Sequence, residues 1–551
     1  MSTKTSEDLN HQARDAALAA VSAMSVQPTS LIQYESGGAI AVIGGDAVIR
    51  VVGMMQEELR PHLILHGKAK ANGVPCTHTR RRGISIEGYL GNFNITLAGA
   101  SPDIEAKLDD TESVKADLVL DMGEVPLLQM PLKPPGYVYI SPGAELDELQ
   151  VAIDELAELT GTFEKPKYFD YNSSICAHKR SGITACTRCI DACPADAISS
   201  LAEMIEVDAH LCQGGGACAT ACPSGAIRYI YPSADDTLAL TRRLLKVYAD
   251  EGGQNPVVVF HAAESTMPES CAANLLPIAV EELGSVGIDT WLSALAYGAR
   301  SVVLLDDGNI PACVTKEIDQ QLVTAREILV GMAYSAESIR RVDTQQLEKP
   351  YQPMMPLITP ALYGGTGNKR QTVFLAIDAL YEQAIAGKAK RPRPMVTLSA
   401  GAPFGAASID EKSCTLCMSC VSACPGKALQ SGQDVPQVRF IESNCLQCGL
   451  CTRTCPEDAI FITPRLLFDR EARNHIVTLY EEEPFCCVSC GKPFATRSVI
   501  NNMMAKLEGH WMFSDDRAKQ RLKMCDDCRV ADVVQDPEMM SQGINGGRVI
   551  H

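Results

Sequence analysis

Short apolar runs alternate with polar and helical segments in two stretches of the chain. The runs typical of buried strands lie at 39–43, 118–120, 256–260 and 301–305. A helical segment at 291–297, ended by Gly298, lies between the last two runs. Short runs rich in Val, Ile and Leu are typical of strands buried in a sheet. The pattern therefore predicts two α/β domains.

The run at 39–43 is followed by Gly44-Gly45, and a strand that leads into glycines can open a dinucleotide-binding site. The spacing G-x-G-x-x-G does not follow it. A structural role for the first α/β domain is therefore favoured over nucleotide or flavin binding.

The composition adds evidence on the class of protein, because the chain contains 23 cysteines among its 551 residues. Disulfide-rich chains are typically small and secreted, whereas this chain is large and begins without the basic and apolar regions of a signal peptide. Its apolar runs fall short of the roughly 18 residues that cross a membrane. We therefore expect a cytoplasmic protein whose clustered cysteines bind metal. The net charge of -18 gives little attraction for nucleic acid, which requires a basic face.

The cysteines follow a repeated local pattern. Four of them precede a proline and a small-residue turn that ends in Ala-Ile or Ala-Leu, namely Cys193, Cys222, Cys424 and Cys455. A short β-like run with an acidic residue leads into Cys212, Cys414 and Cys445. The repeat predicts a unit of strand, cysteine loop, short helix and strand.

The most specific motif, C-x2-C-x2-C-x3-C-P, occurs twice between residues 414 and 456, with 20 residues between the copies. Its spacing places three thiolates on one loop around a cluster, and the fourth cysteine starts the following helix and points at the other cluster. The expected ligand sets are Cys414, Cys417, Cys420 and Cys455 for one cluster, and Cys445, Cys448, Cys451 and Cys424 for the other. Residues 405–465 resemble the bacterial-type two-cluster 4Fe–4S ferredoxins. The resemblance implies a pseudo-twofold α+β module whose clusters pass single electrons.

Residues 174–232 resemble the same family, with two departures. Nine residues instead of two separate Cys176 from Cys186, and Gly215 replaces the second cysteine of the partner motif. Crossed ligation predicts one full cluster, on Cys176, Cys186, Cys189 and Cys222. The other site keeps three ligands, Cys193, Cys212 and Cys218.

Three ligands suit a 3Fe–4S cluster, or a 4Fe–4S cluster with one open iron. An electron-carrying or labile site is favoured here over a reactive iron that binds substrate. His178 is an alternative protein ligand for this site, although a solvated histidine in the loop is the favoured interpretation of that residue. For Cys176, the alternative to a role as cluster ligand is that it binds no cluster.

Two C-x2-C pairs occur near the end of the chain, Cys487 with Cys490 and Cys525 with Cys528, separated by 34 residues. Four thiolates in two such knuckles give the tetrahedral geometry that Zn²⁺ favours. The tail is therefore predicted to be a zinc-ribbon-like structural knuckle. A rubredoxin-type iron site has the same ligands and is the alternative.

Residues 255–335 are similar to the delta subunit of methyl-viologen-reducing hydrogenases, through Gly287-Ile288-Asp289, Ala294-Leu295 and Gly298-Ala299. The resemblance implies a docking surface for a redox enzyme. The family's 2Fe–2S cluster is not expected, because 41 residues separate Cys271 from Cys313. In overall architecture the chain also resembles large 4Fe–4S proteins found alongside molybdenum- or tungsten-dependent formate dehydrogenases.

These patterns predict a multi-domain α/β and α+β protein. The expected segments are an amino-terminal helical segment (1–30), an α/β domain (31–170), ferredoxin module 1 (171–235), a hydrogenase-delta-like α/β domain (236–350), a helix and linker (351–404), ferredoxin module 2 (405–465) and a zinc-binding tail (466–551).

The favoured function is to carry single electrons between redox protein partners, such as formate dehydrogenase or a hydrogenase-like enzyme, without substrate turnover. One alternative is an iron–sulfur or flavin enzyme that uses an open cluster site. Another is a cluster or cofactor assembly factor or a redox sensor. No catalytic residue is assigned, because the sequence has no Ser-His-Asp, paired-carboxylate or phosphate-loop signature.

Overall fold

The computed structural model describes residues 6–24, 26–45, 47–65, 74–78, 83–98, 112–180, 182–265, 267–268, 271–347, 354–387, 392–433, 435–510, 513 and 515–536. The fold is mixed α/β, with several small sheets and two larger parallel ones. The chain divides into two compact units. The first comprises Met1–Ser173, Thr187–Arg326 and Tyr334–Gln383, and the second Ser174–Cys186, Glu327–Ala333 and Ala384–His551.

The first α/β domain contains three helices and ten strands among the described residues. They are α1 (Ser6–Ser22), β1 (Leu31–Ser36), β2 (Ala39–Gly44), α2 (Val48–Val52), β3 (Arg60–Leu65), β4 (Cys76–His78), β5 (Gly83–Tyr89), β6 (Asn92–Ala98), β7 (Glu112–Ala116), β8 (Leu118–Met122), β9 (Tyr137–Tyr139), α3 (Leu146–Glu158) and β10 (Gly161–Pro166). The predicted runs at 39–43 and 118–120 lie in β2 and β8.

A parallel sheet of order β4-β3-β2-β8-β9 forms the centre of this domain. Both of its faces are covered, which explains why its central strands are apolar along their whole length. Ile40 and Val42 of β2 pack in the same cluster as α2 and α3. Ala41 and Ile43 face the antiparallel sheet β5-β6-β7.

The amino-side cysteine segment is built of very short elements. They are β11 (Phe169–Tyr171), β12 (Lys179–Arg180), β13 (Ile183–Thr184), α4 (Arg188–Asp191), β14 (Ile198–Leu201), β15 (Met204–Val207), α5 (Ala217–Ala221) and β16 (Ile227–Tyr229). β14 pairs with β15 and β11 with β16, both antiparallel. The hairpin of β12 and β13 belongs to the second unit.

The apolar runs predicted as strands at 256–260 and 301–305 lie in a second parallel sheet, apart from Pro256, which precedes its strand. The elements of this second α/β domain and those that follow are α6 (Ala234–Asp250), β17 (Val257–Ala262), β18 (Leu275–Val280), α7 (Ile288–Ala296), β19 (Ser301–Asp306), α8 (Ala312–Gly331), β20 (Ile339–Asp343), α9 (Thr344–Leu347) and α10 (Lys369–Ala386). The sheet is parallel, in the order β18-β17-β19-β20. The predicted helical segment at 291–297 lies in α7 except for Tyr297, which follows the last residue of the helix, and the chain turns at Gly298, whose φ is +109°.

The second unit contains the carboxyl-side cysteines. Its elements are β21 (Met395–Thr397), β22 (Gly405–Ile409), α11 (Ser419–Ala423), β23 (Leu429–Ser431), β24 (Gln437–Ile441), α12 (Leu450–Thr454), β25 (Ile460–Leu467), α13 (Arg470–Asn474) and β26 (Ile476–Glu481). Strand, cysteine loop, short helix and strand follow one another twice, as β22-α11-β23 and β24-α12-β25. The apolar core between the two halves includes Val438, Phe440 and Ile460.

After β26, the described residues up to 536 form a hairpin followed by three helices. These elements are β27 (Pro484–Cys486), β28 (Pro493–Thr496), α14 (Arg497–Lys506), α15 (Asp516–Arg521) and α16 (Asp526–Val534). Among the described residues, no helix is long and apolar enough to cross a membrane.

Candidate metal centres

The cysteine loops share an unusual backbone. In three of them, the residues two and four positions after the first cysteine have positive φ. These residues are Leu416 (φ 55°) and Met418 (60°), Gln447 (53°) and Gly449 (77°), and Gly214 (80°) and Gly216 (67°). Backbone turns of this kind direct successive N–H groups into a concavity that binds anions. The loop that contains Gly215 therefore has the same backbone pattern as the two loops with regular cysteine spacing.

The four Cys-Pro turns are also alike. The third residue after each of these cysteines has positive φ, at Asp196 (47°), Gly225 (70°), Lys427 (53°) and Asp458 (48°). Only one of the four positions is a glycine. The turn therefore imposes the left-handed backbone conformation at these positions, and the preference of the residue itself does not determine it. Each Cys-Pro turn thus leads from its loop into the next strand in the same way.

The position of the fourth cysteine differs from the expectation that it starts a helix. Cys222, Cys424 and Cys455 instead follow the last residue of α5, α11 and α12, with extended ψ of 115°, 106° and 116°. The proline that follows each cysteine explains this, because it disfavours helical angles in the residue before it. The helix therefore ends at the fourth cysteine.

The first carboxyl-side group consists of Cys414, Cys417, Cys420 and Cys455, which line one small cavity together with Leu416. Burial, reinforced by the three neighbouring thiols, raises the pKa of Cys420 to about 12. Thiols bind metal as thiolates. Since burial opposes ionisation here, a bound cation is needed to hold four thiolates together.

The second carboxyl-side group consists of Cys445, Cys448, Cys451 and Cys424. Burial, followed by the thiols of the other three, raises the pKa of Cys451. Cys424 therefore interacts with the loop of Cys445, and Cys455 with the loop of Cys414. Polar N–H groups reach the sulfur atoms in both groups: the backbone N–H of Leu416 donates to Cys414 Sγ at 3.4 Å, and Gln447 Nε2 donates to Cys445 Sγ at 3.3 Å.

In the first unit, Cys193, Cys212 and Cys218 form a third group. Burial, and after it the thiols of Cys212, Cys193 and Cys189, raise the pKa of Cys218 well above its usual range. At Gly215, an added Cβ would meet only Pro194, whose Cγ is 3.5 Å away. The position thus has room for the Cβ atom of the cysteine that the motif lacks.

The fourth predicted ligand set is divided between the two units. Cys176 and Cys186 belong to the second unit, and Cys189 and Cys222 to the first, so this ligand set stays a prediction. His178 is buried, at 2% exposure, and its Nδ1 lies 2.9 Å from the carbonyl oxygen of Cys186. The expectation of a solvated histidine was therefore wrong.

Within the second unit, the hairpin of β12 and β13 lies against the carboxyl-side cysteine loops. Arg453 of α12 donates a hydrogen bond to the carbonyl oxygen of Thr184, and Arg180 donates to that of Ser422 at 3.4 Å. The thiol of Cys186 is close enough to Cys448 to contribute to its raised pKa, after burial and the thiols of Cys424 and Cys445. A cysteine of the amino-side set thus lies close to the second carboxyl-side group.

The tail cysteines form the most compact group. The sulfur atoms of Cys487, Cys490, Cys525 and Cys528 all lie within 4.8 Å of one another. Burial opposes ionisation of Cys487, but backbone N–H groups of Cys490, Cys525 and Ser489 outweigh it and lower its pKa to about 6. A thiol that ionises this readily is suited to a metal ligand. The four-thiolate group can therefore hold a metal ion such as zinc.

Comparison with protein families agrees with the cysteine motifs. A 4Fe–4S dicluster domain matches residues 413–459, and a 4Fe–4S binding domain matches residues 205–228. No curated protein matches the whole chain or a part of it at a significant level. The two ferredoxin-type domains imply bound 4Fe–4S clusters, an iron–sulfur electron-transfer role and redox partners.

Proposed function

We propose that this chain binds four iron–sulfur clusters and one zinc ion, and carries single electrons between redox protein partners without substrate turnover of its own. The exchange of fourth cysteines is the observation on which this rests: Cys455 groups with the loop of Cys414, and Cys424 with the loop of Cys445. Crossed ligation of this kind is typical of two-cluster ferredoxins. A bound 4Fe–4S cluster accepts and releases one electron.

The three-cysteine site would bind the cluster through Cys193, Cys212 and Cys218. Its support is the backbone pattern of positive φ at Gly214 and Gly216, which is shared with both regular loops. Inward N–H groups in such a loop favour the negative charge of a thiolate-bound cluster. The ligands of the fourth cluster would be Cys176, Cys186, Cys189 and Cys222.

Electrons would pass between the modules by way of Cys186, which lies near enough to Cys448 to interact with it electrostatically. The hydrogen bonds from Arg453 and Arg180 support this path, because they fix the β12–β13 hairpin on the carboxyl-side module. Four clusters in sequence would make the chain a wire between a donor and an acceptor.

The partner proposed is an oxidoreductase such as formate dehydrogenase, with a hydrogenase-like enzyme as the second candidate. The resemblance in overall architecture supports the first, and that of residues 255–335 supports the second. With either partner, the zinc on Cys487, Cys490, Cys525 and Cys528 would be structural.

Iron, sulfide, zinc and flavin analysis of anaerobically purified protein tests this proposal, with electron paramagnetic resonance before and after reduction. We expect about fifteen or sixteen irons, one zinc and no flavin per chain, with a 3Fe signal in the case of the three-iron form. A Cys76→Ser variant is the matched control and should keep its iron, since Cys76 lies in β4. A content of about eight irons, or one flavin per chain, would contradict the proposal.

A further inference from the structure

The tail contacts the loop of Cys414 through Thr496, the last residue of β28. The hydroxyl group of Thr496 donates a hydrogen bond to the main-chain carbonyl oxygen of Thr415 at 3.0 Å. The same hydroxyl oxygen accepts from the N–H of Val499 at 3.2 Å, which leaves its one proton for Thr415. Thr496 and Thr415 are only 4% and 6% exposed. The hydrogen bond between them is therefore shielded from water, which strengthens it.

This hydrogen bond reaches a cluster ligand through a single peptide unit. The carbonyl group of Thr415 and the N–H of Leu416 belong to the same peptide, and that N–H donates to Cys414 Sγ at 3.4 Å. Burial raises the pKa of Cys414, whereas the N–H of Leu416 opposes this effect and favours the thiolate. A hydrogen bond to the oxygen of a peptide polarises it and strengthens the bond that its N–H donates. Thr496 therefore acts on the sulfur of Cys414.

A second contact joins α14 to the same group. Glu457 lines the small cavity of the first carboxyl-side cysteine group. Nζ of Lys506, the last residue of α14, lies 3.2 Å from Oε1 of Glu457. A carboxylate beside a cluster disfavours an added electron, and the ammonium group offsets part of that effect. Because the side chain of Lys506 is 69% exposed, its contribution depends on the salt concentration.

The position of Thr496 depends on the four-cysteine group of the tail. The first knuckle, with Cys487 and Cys490, forms the turn between β27 and β28, the strand that ends at Thr496. The backbone N–H of Val488 in this knuckle donates to the carbonyl oxygen of Lys523 at 3.1 Å, which joins it to the segment of the second knuckle. A metal ion that holds the two knuckles together therefore also holds the hairpin that positions Thr496.

We propose that the tail sets the reduction potential of the cluster bound by the first carboxyl-side group, with Thr496 as a positioning residue, and that zinc in the tail keeps this potential high. The inference rests on the proposed function, which supplies both the cluster and the zinc. Hydrogen bonds to cluster sulfur atoms raise the potential, because they stabilise the additional negative charge of the reduced form. Loss of zinc would release Thr496 and Lys506 and lower the potential. Zinc occupancy would therefore regulate how readily this cluster accepts an electron.

Redox titrations of the full, anaerobically purified chain, followed by electron paramagnetic resonance, test this inference. Thr496→Val removes the O–H donor but keeps the shape of the side chain. At a fixed solution potential, we expect this variant to lower the ratio of reduced to oxidised cluster by about twofold or more. Thr496→Ser keeps the donor and should titrate as the wild type does. Lys506→Met should lower the same ratio at low ionic strength and lose its effect in high salt.

Asp515→Ala is the matched control for a lost helix cap. Thr496 also caps α14, and Asp515 caps α15 of the same tail by accepting from the N–H of Ala518 at 2.7 Å. Both variants should melt at a lower temperature than the wild type, but Asp515→Ala should keep the wild-type potential. An equal shift of the potential in Asp515→Ala would overturn the role of Thr496, because loosening of the tail would then be sufficient.

Cys525→Ser tests the dependence on zinc while Thr496 stays in the chain. This variant should lower the potential at least as much as Thr496→Val does. The double variant should shift it no further than Cys525→Ser alone, because both changes remove the same contact. The other clusters are the internal reference and should keep their potentials.

Iron and zinc analysis separates the failure of this inference from that of the proposed function. A wild type without clusters or without zinc would contradict the proposed function, and this inference with it. A wild type with its clusters and zinc, but with an unchanged potential in Thr496→Val or in zinc-free Cys525→Ser, would overturn this inference alone.

Discussion

Lys165 and Cys212 are joined by a hydrogen bond, in which Nζ of the lysine donates to the main-chain carbonyl oxygen of the cysteine at 2.7 Å. The same ammonium group donates to the carbonyl oxygen of His210, also at 2.7 Å. A positive charge is therefore held against the loop of the proposed three-cysteine cluster. A cation beside a cluster stabilises the reduced form, which carries one more negative charge.

Replacing this cation should lower the reduction potential of that cluster. A unit charge beside the cluster interacts with the added electron through a medium of low effective dielectric constant, so we expect Lys165→Met to lower the potential by tens of millivolts. A redox titration followed by electron paramagnetic resonance measures the shift. Lys167→Met is the matched control, because that lysine lies over the ring of Phe169 instead. Equal potentials in both variants and the wild type would rule out the charge effect.

A cysteine at position 215 should complete the third ligand group. The added Cβ meets nothing closer than Pro194 Cγ, at 3.5 Å, so Gly215→Cys can be accommodated. We expect the odd signal of the three-cysteine site to be replaced by that of an ordinary 4Fe–4S cluster, with about one more iron per chain if the wild type holds a 3Fe form. An unchanged resonance spectrum would contradict the ligand assignment.

Gly216→Cys is a stringent control for that experiment. Gly216 has a φ of +67°, and an added Cβ would lie 2.5 Å from the Cα of Ser285. This variant should therefore unfold at a lower temperature than the wild type and Gly215→Cys, without gaining a cluster ligand.

Sequence patterns were informative where a single physical requirement acts on neighbouring residues. The runs at 39–43 and 301–305 are strands because both faces of their parallel sheets are covered, and this makes every position apolar. The cysteine repeat could be recognised in the sequence for a similar reason, because metal ligation fixes the spacing of the cysteines within one loop.

The backbone conformation of the cysteine loops could be predicted from the sequence only in part. Glycines at 214, 216 and 449 are a local signal for positive φ, but Leu416 and Met418 adopt the same conformation without one. Their conformation follows from the cysteine spacing and the packing around it, which propensity does not report. His178 was misjudged because its burial depends on the β12–β13 hairpin, whose two-residue strands leave no periodic signal.

A cavity of about 210 Å³ beside α5, which Asp289 and Lys369 help to line, could not be predicted from any local sequence pattern. Asp289 and Lys369 are distant in the sequence and interact only after the second α/β domain and α10 have packed. Lone acidic and basic residues are common on helices, so neither carried a signal by itself.

The tail should lose its metal and its structure together when one of its four cysteines is replaced. Cys525→Ser removes a buried ligand, and we expect the zinc content to fall from one per chain to near zero while the iron content stays unchanged. Limited proteolysis should then cut within the tail at a higher rate than in the wild type. Cys486→Ser is the matched control: Cys486 is exposed and lies outside the compact group, so its variant should keep both zinc and protease resistance. Iron in place of zinc in the wild type would favour the rubredoxin-type alternative.

Double variants of the carboxyl-side motifs distinguish crossed ligation from local ligation, in which all four cysteines of one motif bind the same cluster. With Cys455 bound to the cluster of Cys414, the pair Cys414→Ser and Cys455→Ser damages only one cluster, and we expect the loss of about four irons. The pair Cys445→Ser and Cys455→Ser damages both, and should cost about eight. The electrostatic grouping of Cys420 with Cys455, and of Cys451 with Cys424, is the reason for this expectation.

Local ligation reverses the order of these losses, so the iron contents of the two double variants decide between the arrangements. Each double variant removes two thiols and leaves six of the eight in place, which makes the comparison independent of the number of substitutions. Folding is monitored through zinc, because the tail group does not share a ligand with either cluster. Variants that keep one zinc per chain but differ by about four irons would establish that the fourth cysteine of each motif serves the opposite cluster.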